Sequence, residues 1–317
     1  MKDLKLVPLD SVEEKEVDWL WYPYIPKGKL TIIQGDPGSG KTMFMLKLAA
    51  ILSTGEPLPF TDGSSATPLD VIYQTSEDGY DDTIKPRLKK ANADCSKVHF
   101  ISEDMYMLSM TDERIEAAIR KLNAQLFVLD PIQAYVGPLV DINKANEVRP
   151  VLKALADVAT RTNCAICLVG HMNKSKNKST YKGLGSIDFY AAARSVLLIG
   201  SLNDDPDTRI VIHDKSSLAP AGDAFSFELS KENGFRWKEI VHITSSELLE
   251  GFTKRTEKQR AKDFLVDLLS DGDYPSTEIF QRAEGLGISK RTLETAKQEL
   301  KVKSIRDGTN WVWELKF

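Results

Sequence analysis

Three cysteines in 317 residues are too few for a disulfide framework, and they fit a reducing compartment. Cys164 and Cys167 have C-x-x-C spacing, but no second pair exists to complete a zinc site, and Cys95 stands alone. The pair lies in an apolar run, so small buried residues are expected there. No apolar run approaches the roughly 20 residues of a membrane span. Met1-Lys2-Asp3-Leu4-Lys5 has no stretch like a signal peptide. A cytoplasmic protein without membrane contact is expected. A basic excess is also missing, because the formal net charge is −4. This excludes an overall basic coat for nucleic acid but leaves room for a local basic channel.

What is present begins with Gly35-Asp36-Pro37-Gly38-Ser39-Gly40-Lys41-Thr42, which fits G-x-x-x-x-G-K-[ST] without a mismatch. The run before it, Leu30 to Gln34, reads as a buried strand, and Met43 to Ile51 reads as a helix. Strand, glycine turn and helix are the context this motif needs. Glycines let backbone approach a phosphate without Cβ clashes. The free N–H groups at the helix start then face the anion, with the helix dipole behind them. Lys41 would reach the β- and γ-phosphates, and the Thr42 hydroxyl would ligate Mg²⁺. Binding of ATP with Mg²⁺ is expected.

The chain then alternates strand and helix. Strands are expected at 71–74, 98–101, 126–130, 165–169 and 195–199, and helices at about 82–90, 147–160 and 188–193. Another helix opens at Thr111, with Thr111 as N-cap. Short strands follow at 209–213, 225–229 and 234–237. This pattern predicts an α/β fold with a mainly parallel twisted sheet covered on both faces. The aromatic run Trp19 to Tyr24 is expected to cover the edge of the first strand. Ligands of such sheets bind at the carboxyl ends of strands, where Gly35, Glu77, Asp130 and His171 all fall.

Asp130 ends an apolar strand and suits a Mg²⁺ ligand, direct or through water. Glu77 would orient or deprotonate the attacking water, with Asp78 as its rival in the same turn. His171 would hydrogen-bond the γ-phosphate. Arg194 precedes an apolar strand, where an arginine needs a partner. It serves either as a finger offered to a neighbouring subunit or in an intramolecular salt bridge. Lys174, Lys176, Lys178 and Lys182 lie between His171 and Asp188 and suit contacts to a phosphate backbone.

Residues 1–243 therefore read as one ATPase domain with an approach segment at 1–28. Residues 244–256 read as a linker and 257–317 as a second domain. Its pattern is three helices and a hairpin with Asp307-Gly308 at the turn, a winged-helix arrangement. The third helix carries Lys290 and Arg291 outward. It would read a DNA groove, or the module would dock a protein.

Several of these segments together resemble the AAA-25, RepA-like group of RecA-like ATPases, which includes hexameric replicative helicases of plasmids, phages and mobile elements. The resemblance rests on Asp18-Trp19-Leu20-Trp21, Pro26 to Leu30, the glycine-rich loop, and Glu77-Asp78 with Pro86-Arg87-Leu88. It continues through Asp130 to Tyr135, Asn146 to Arg149, Gly170 to Lys174, and Gly185-Ser186 with Arg194. It implies a RecA fold with ATP bound at subunit interfaces of a ring. Glu77 is then the catalytic carboxylate, His171 the γ-phosphate sensor and Arg194 a finger in trans. Single-stranded DNA is the implied polymer, with replication-initiation proteins as possible partners. One departure is His171 itself, where ring helicases of the DnaB type carry glutamine. Helicase activity does not follow from the fold alone. An ATP-controlled DNA-binding regulator or loader and a recombination or repair ATPase are the competing readings.

Overall fold

Strand β3 (Leu30–Gly35) is buried along its whole length because it runs through the middle of a sheet. The computed structural model describes residues 6–63, 66–138, 140–171, 187–202, 205–249, 257–270, 272–307 and 310–315. The chain divides into two compact units, Met1–Gly251 and Phe252–Phe317.

The first unit starts with a hairpin, β1 (Trp19–Trp21) and β2 (Ile25–Pro26), ahead of β3. Helix α1 (Lys41–Thr54) follows the glycine turn. Next come β4 (Val71–Thr75), α2 (Lys85–Lys90), β5 (Val98–His99) and α3 (Glu113–Leu122). Then come β6 (Leu126–Asp130), α4 (Ala145–Thr162), β7 (Ala165–His171) and α5 (Ile187–Ala192). The unit ends with β8 (Ser195–Ser201), β9 (Thr208–Ser216), β10 (Ala224–Ser230), β11 (Gly234–Val241) and α6 (Ser245–Leu249). The nine strands of the large sheet lie in the order β11-β10-β9-β8-β3-β7-β6-β4-β5. Pairing is parallel from β5 to β8 and antiparallel from β8 to β11. The protein is thus α/β with a mainly parallel sheet, extended on one side by an antiparallel meander.

Two apolar layers cover the sheet. Phe44, Leu48 and Leu52 of α1 fill one face, and Val148, Leu152 and Leu155 of α4 fill the other. Both helices space these residues three or four apart, so one face of each is apolar. Side chains of this size contribute about 1.5–3 kcal/mol each when fully buried.

Four local features differ from the sequence expectation. The hairpin rings do not cover a strand edge, because β3 has β7 and β8 on its two sides. Trp21 instead packs against Phe44, Phe225 and Trp237, with ring centres 6.2, 5.5 and 6.1 Å away, and joins α1 to the meander. The cap of α3 is Asp112, not Thr111: its carboxylate accepts from the Arg114 amide at 2.9 Å. Strand β5 stops at His99, two residues short. The stretch expected as linker begins with helix α6, whose Leu248 is buried over Gly200.

The second unit comprises α7 (Glu257–Ser270), β12 (Tyr274–Pro275), α8 (Ser276–Gly285), α9 (Lys290–Glu299), β13 (Lys303–Asp307) and β14 (Asn310–Glu314). Its three strands are antiparallel in the order β12-β14-β13. Leu265, Ile279, Leu293 and Trp313 form its own core.

Candidate functional site

The glycine turn joins β3 to α1 with Gly38 and Gly40 at φ of 77° and 92°. L-residues rarely adopt this region, so glycine is required at both positions. Gly35 is required for another reason: a Cβ there would lie 2.1 Å from the Ile199 carbonyl oxygen of β8. Lys41 opens α1 and is buried. Its ammonium donates to the carbonyls of Gly35 at 2.9 Å and Asp36 at 2.8 Å. Burial pushes its pKa down to about 8, against the opposing pull of Asp130, Asp36 and Glu77. An ammonium held this way gains from a phosphate nearby, which restores the charge that burial disfavours. Ser39 also points a buried hydroxyl into the turn, with no partner among the described residues.

Parallel pairing sets the other groups beside this turn. Gly35 lies opposite His171 across β3 and β7, and Thr75 lies opposite Asp130 across β4 and β6. The Thr42 hydroxyl donates to Asp130 Oδ2 at 2.7 Å. Asp130 is 4% exposed, and burial raises its pKa, opposed by hydrogen bonds from Tyr73 and Thr42. Thr42 and Asp130 thus offer adjacent oxygen ligands of the kind a hard cation takes. Glu77 follows β4, and its Oε1 is 3.8 Å from His171 Nε2. The His171 Nδ1 atom is buried without a partner among the described residues. Asp78 turns away and pairs with Arg87 at 2.8 Å. Of the two rival carboxylates, Glu77 is the one whose charge reaches Lys41 and Asp130.

Arg194 is not in this cluster. β8 runs parallel to β3 with Ser195 opposite Thr31, so Arg194 sits at the amino end of the sheet. The glycine turn is at the carboxyl end, about 16 Å away at roughly 3.3 Å per residue. Arg194 is exposed, and among the described residues no carboxylate pairs with it. Lys174, Lys176, Lys178 and Lys182 lie outside the described residues. Beyond them, α5 is tied to α4 by Arg149 Nε on Asp188 Oδ1 at 2.5 Å. In the second unit, Lys290 lies 4.9 Å from the centre of the Phe280 ring, while Arg291 is exposed.

Sequence reasoning missed Tyr73. It is buried in β4, and its hydroxyl donates to Asp130 Oδ2 at 2.6 Å. The available signal was a lone hydroxyl inside an otherwise apolar strand start, Val71-Ile72-Tyr73.

A family model described as an AAA domain, AAA_25, matches residues 2–177, more than half of the chain. The chain belongs to this family. It is a P-loop ATPase of the AAA-25 group, and nucleotide binding follows from membership. Curated relatives include the DNA repair protein RadA of Halalkalibacterium halodurans, 29% identical over 53% of this chain and 33% of that one. RadA of Bacillus subtilis is 32% identical over 47% of this chain and 29% of that one. RadA of Helicobacter pylori strain J99 is 24% identical over 76% and 49%. The chain spans about a third to a half of the length of these relatives. Among solved structures, the ATPase domain of G40P aligns with a TM-score of 0.49 and 17% identity, covering 67% of this chain and 86% of that one. Among the described residues, no helix is long and apolar enough to cross a membrane.

Proposed function

We propose that this AAA-25 ATPase is a motor that acts on single-stranded DNA as a ring, hexameric by family resemblance. It would serve replication of a plasmid, phage or mobile element, as a helicase. The observation that carries the reading is the split between the two ends of the sheet. Lys41, Thr42, Glu77, Asp130 and His171 converge at the carboxyl ends of strands, and Arg194 is exposed at the opposite end. An arginine so placed cannot serve the phosphates of its own chain but is free for those of a second copy.

Each group then has a defined task. The backbone amides of Gly35 to Thr42 cradle the phosphates, and Lys41 neutralises the β- and γ-oxygens. Thr42 and Asp130 would hold Mg²⁺, which screens the charge on the phosphates when bound. Glu77 orients the attacking water and takes its proton. His171, 3.8 Å from Glu77, contacts the γ-phosphate and links its presence to the lysine segment that follows. Lys174, Lys176, Lys178 and Lys182 grip the DNA backbone. The second unit reads as a winged helix, with Arg291 and Lys290 of α9 facing a nucleic acid or protein partner. The resemblance to RadA favours a second reading, a recombination or repair ATPase that forms filaments.

The test is ATP turnover with and without single-stranded DNA, run beside light scattering. Strong stimulation in a ring-sized assembly supports the motor. An open-ended assembly supports the repair reading. Slow turnover by a small species that ignores single strands refutes both, and full turnover by Lys41→Ala refutes the site itself.

A further inference from the structure

The chain has five tryptophans, and four of them are buried or half-buried. Trp311 is 55% exposed. It stands on β14 two residues before Trp313, so the two rings share one face of the hairpin formed by β13 and β14. Trp313 belongs to the core of the second unit, whereas Trp311 lies nearer the turn, past that core. Arg306 is opposite Trp311 across the ladder, where Cβ atoms are about 4.5–5.5 Å apart. On the same face, Lys297 of α9 lies 4.0 Å from the centre of the Trp313 ring and donates to Ser304 Oγ at 2.7 Å. Neither Arg306 nor Lys297 pairs with an acid among the described residues.

Charge in this unit is divided between its elements. Residues 290–306, which span α9 and β13 as far as Arg306, hold six basic side chains and two acids. One of those acids, Glu299, is bonded to Lys262 of α7. Residues 263–284, on α7 and α8, hold six acids and one arginine. A chain of net charge −4 thus collects cations on the elements that adjoin its exposed tryptophan. A tryptophan that docks on a protein needs only an apolar partner, but unpaired cations beside the ring fit a polyanion.

We propose that this hairpin face binds single-stranded DNA, with an unpaired base stacked on the Trp311 ring and backbone phosphates on Arg306 and Lys297. Every base has a π-face, so one exposed indole accepts any of them, and the flanking cations hold the strand against it. The Lys297 ammonium has three donors and spends one on Ser304, which leaves two for a phosphate. A duplex keeps its bases in the stack and offers none to the ring. The contact is therefore made by the hairpin and needs unpaired bases, unlike a helix laid in a groove. The inference rests on the DNA reading above and adds a contact in the second unit to the one proposed for the lysine segment of the first.

The test is fluorescence anisotropy of a short labelled oligothymidylate with the full chain at fixed salt, beside the duplex of the same sequence. Trp311→Ala should weaken single-strand binding by about 5- to 150-fold, the span that loss of one stacked base gives. Trp311→Phe should keep most of the affinity, because a ring remains. Arg306→Gln should weaken binding and flatten its log–log salt dependence by about 0.7, the share of one phosphate. Binding should quench tryptophan fluorescence in the parent and quench it less in Trp311→Ala. A Trp311→Ala chain that binds oligothymidylate as the parent does overturns the inference and leaves the motor reading standing. A parent that binds no oligothymidylate overturns both. An equal loss on the duplex, or a loss with Arg291→Glu and none with Trp311→Ala, moves the contact to α9 and overturns the inference as well.

Discussion

Replacing Glu77 by glutamine tests which carboxylate works at the site. Glu77 is 60% exposed and lies 3.8 Å from His171, free to meet a water beside a phosphate. Losing a general base typically slows turnover by roughly 10²- to 10⁴-fold, or about 3–5 kcal/mol on the barrier. Nucleotide affinity should hold, because Lys41 and Thr42 are untouched. Asp78→Asn is the control. Its carboxylate pairs with Arg87 at 2.8 Å, and the two side chains are 31% and 39% exposed. A pair this open contributes about 0.2–1 kcal/mol. Even if all of that loss fell on the barrier, turnover would drop about fivefold. The assay is single-turnover hydrolysis with a fluorescent-nucleotide titration on the same preparations. A Glu77→Gln enzyme within tenfold of the parent refutes the assignment, and a dead Asp78→Asn enzyme with normal affinity would move the base to Asp78.

Three further outcomes can be measured. Arg194→Ala should lose most turnover, and mixing it with Lys41→Ala chains should recover part of it, read as rate against mixing ratio; no recovery refutes action in trans. Neutralising Lys174, Lys176, Lys178 and Lys182 should flatten the log–log salt dependence of single-strand binding by about 3, at roughly 0.7 per phosphate contact. An unchanged slope removes these lysines from the DNA contact. His213 is buried and accepts from the Gly222 amide at 2.9 Å, and burial lowers its pKa to about 4. Its folded pKa is below the unfolded value near 6.5, so its contribution is complete above about pH 6.5 and lost as pH falls towards 4. Acid in that window should cost about 3 kcal/mol in denaturant melts, and His213→Gln should flatten that part of the profile.

The parts of the site that were legible in the sequence are those fixed by local backbone rules. A strand, a glycine turn and a lysine–threonine helix start form one contiguous stretch. Asp130 and His171 each close an apolar strand, so their placement needed only strand ends. What stayed hidden depends on neighbours distant in sequence. Gly35 reads as a phosphate-loop glycine, yet its Cβ is excluded by Ile199, 164 residues later. Trp21 reads as an edge cover until the meander is known to bring Phe225 and Trp237 beside it. The role of Tyr73 stayed hidden because the sequence does not say that β6 lies next to β4. The cap expected at Thr111 falls one residue later, at Asp112, the usual margin at helix ends.

β8 gives the arrangement a mechanical side. Near one end, its Ile199 carbonyl sits where a Cβ on Gly35 would be. Its other end begins directly after the exposed Arg194. Between them lie about 13 Å of buried strand, hydrogen-bonded on both edges. The strand is in effect a short pushrod within one protein. A displacement of Arg194 would pass along this strand to the glycine turn beside Ile199.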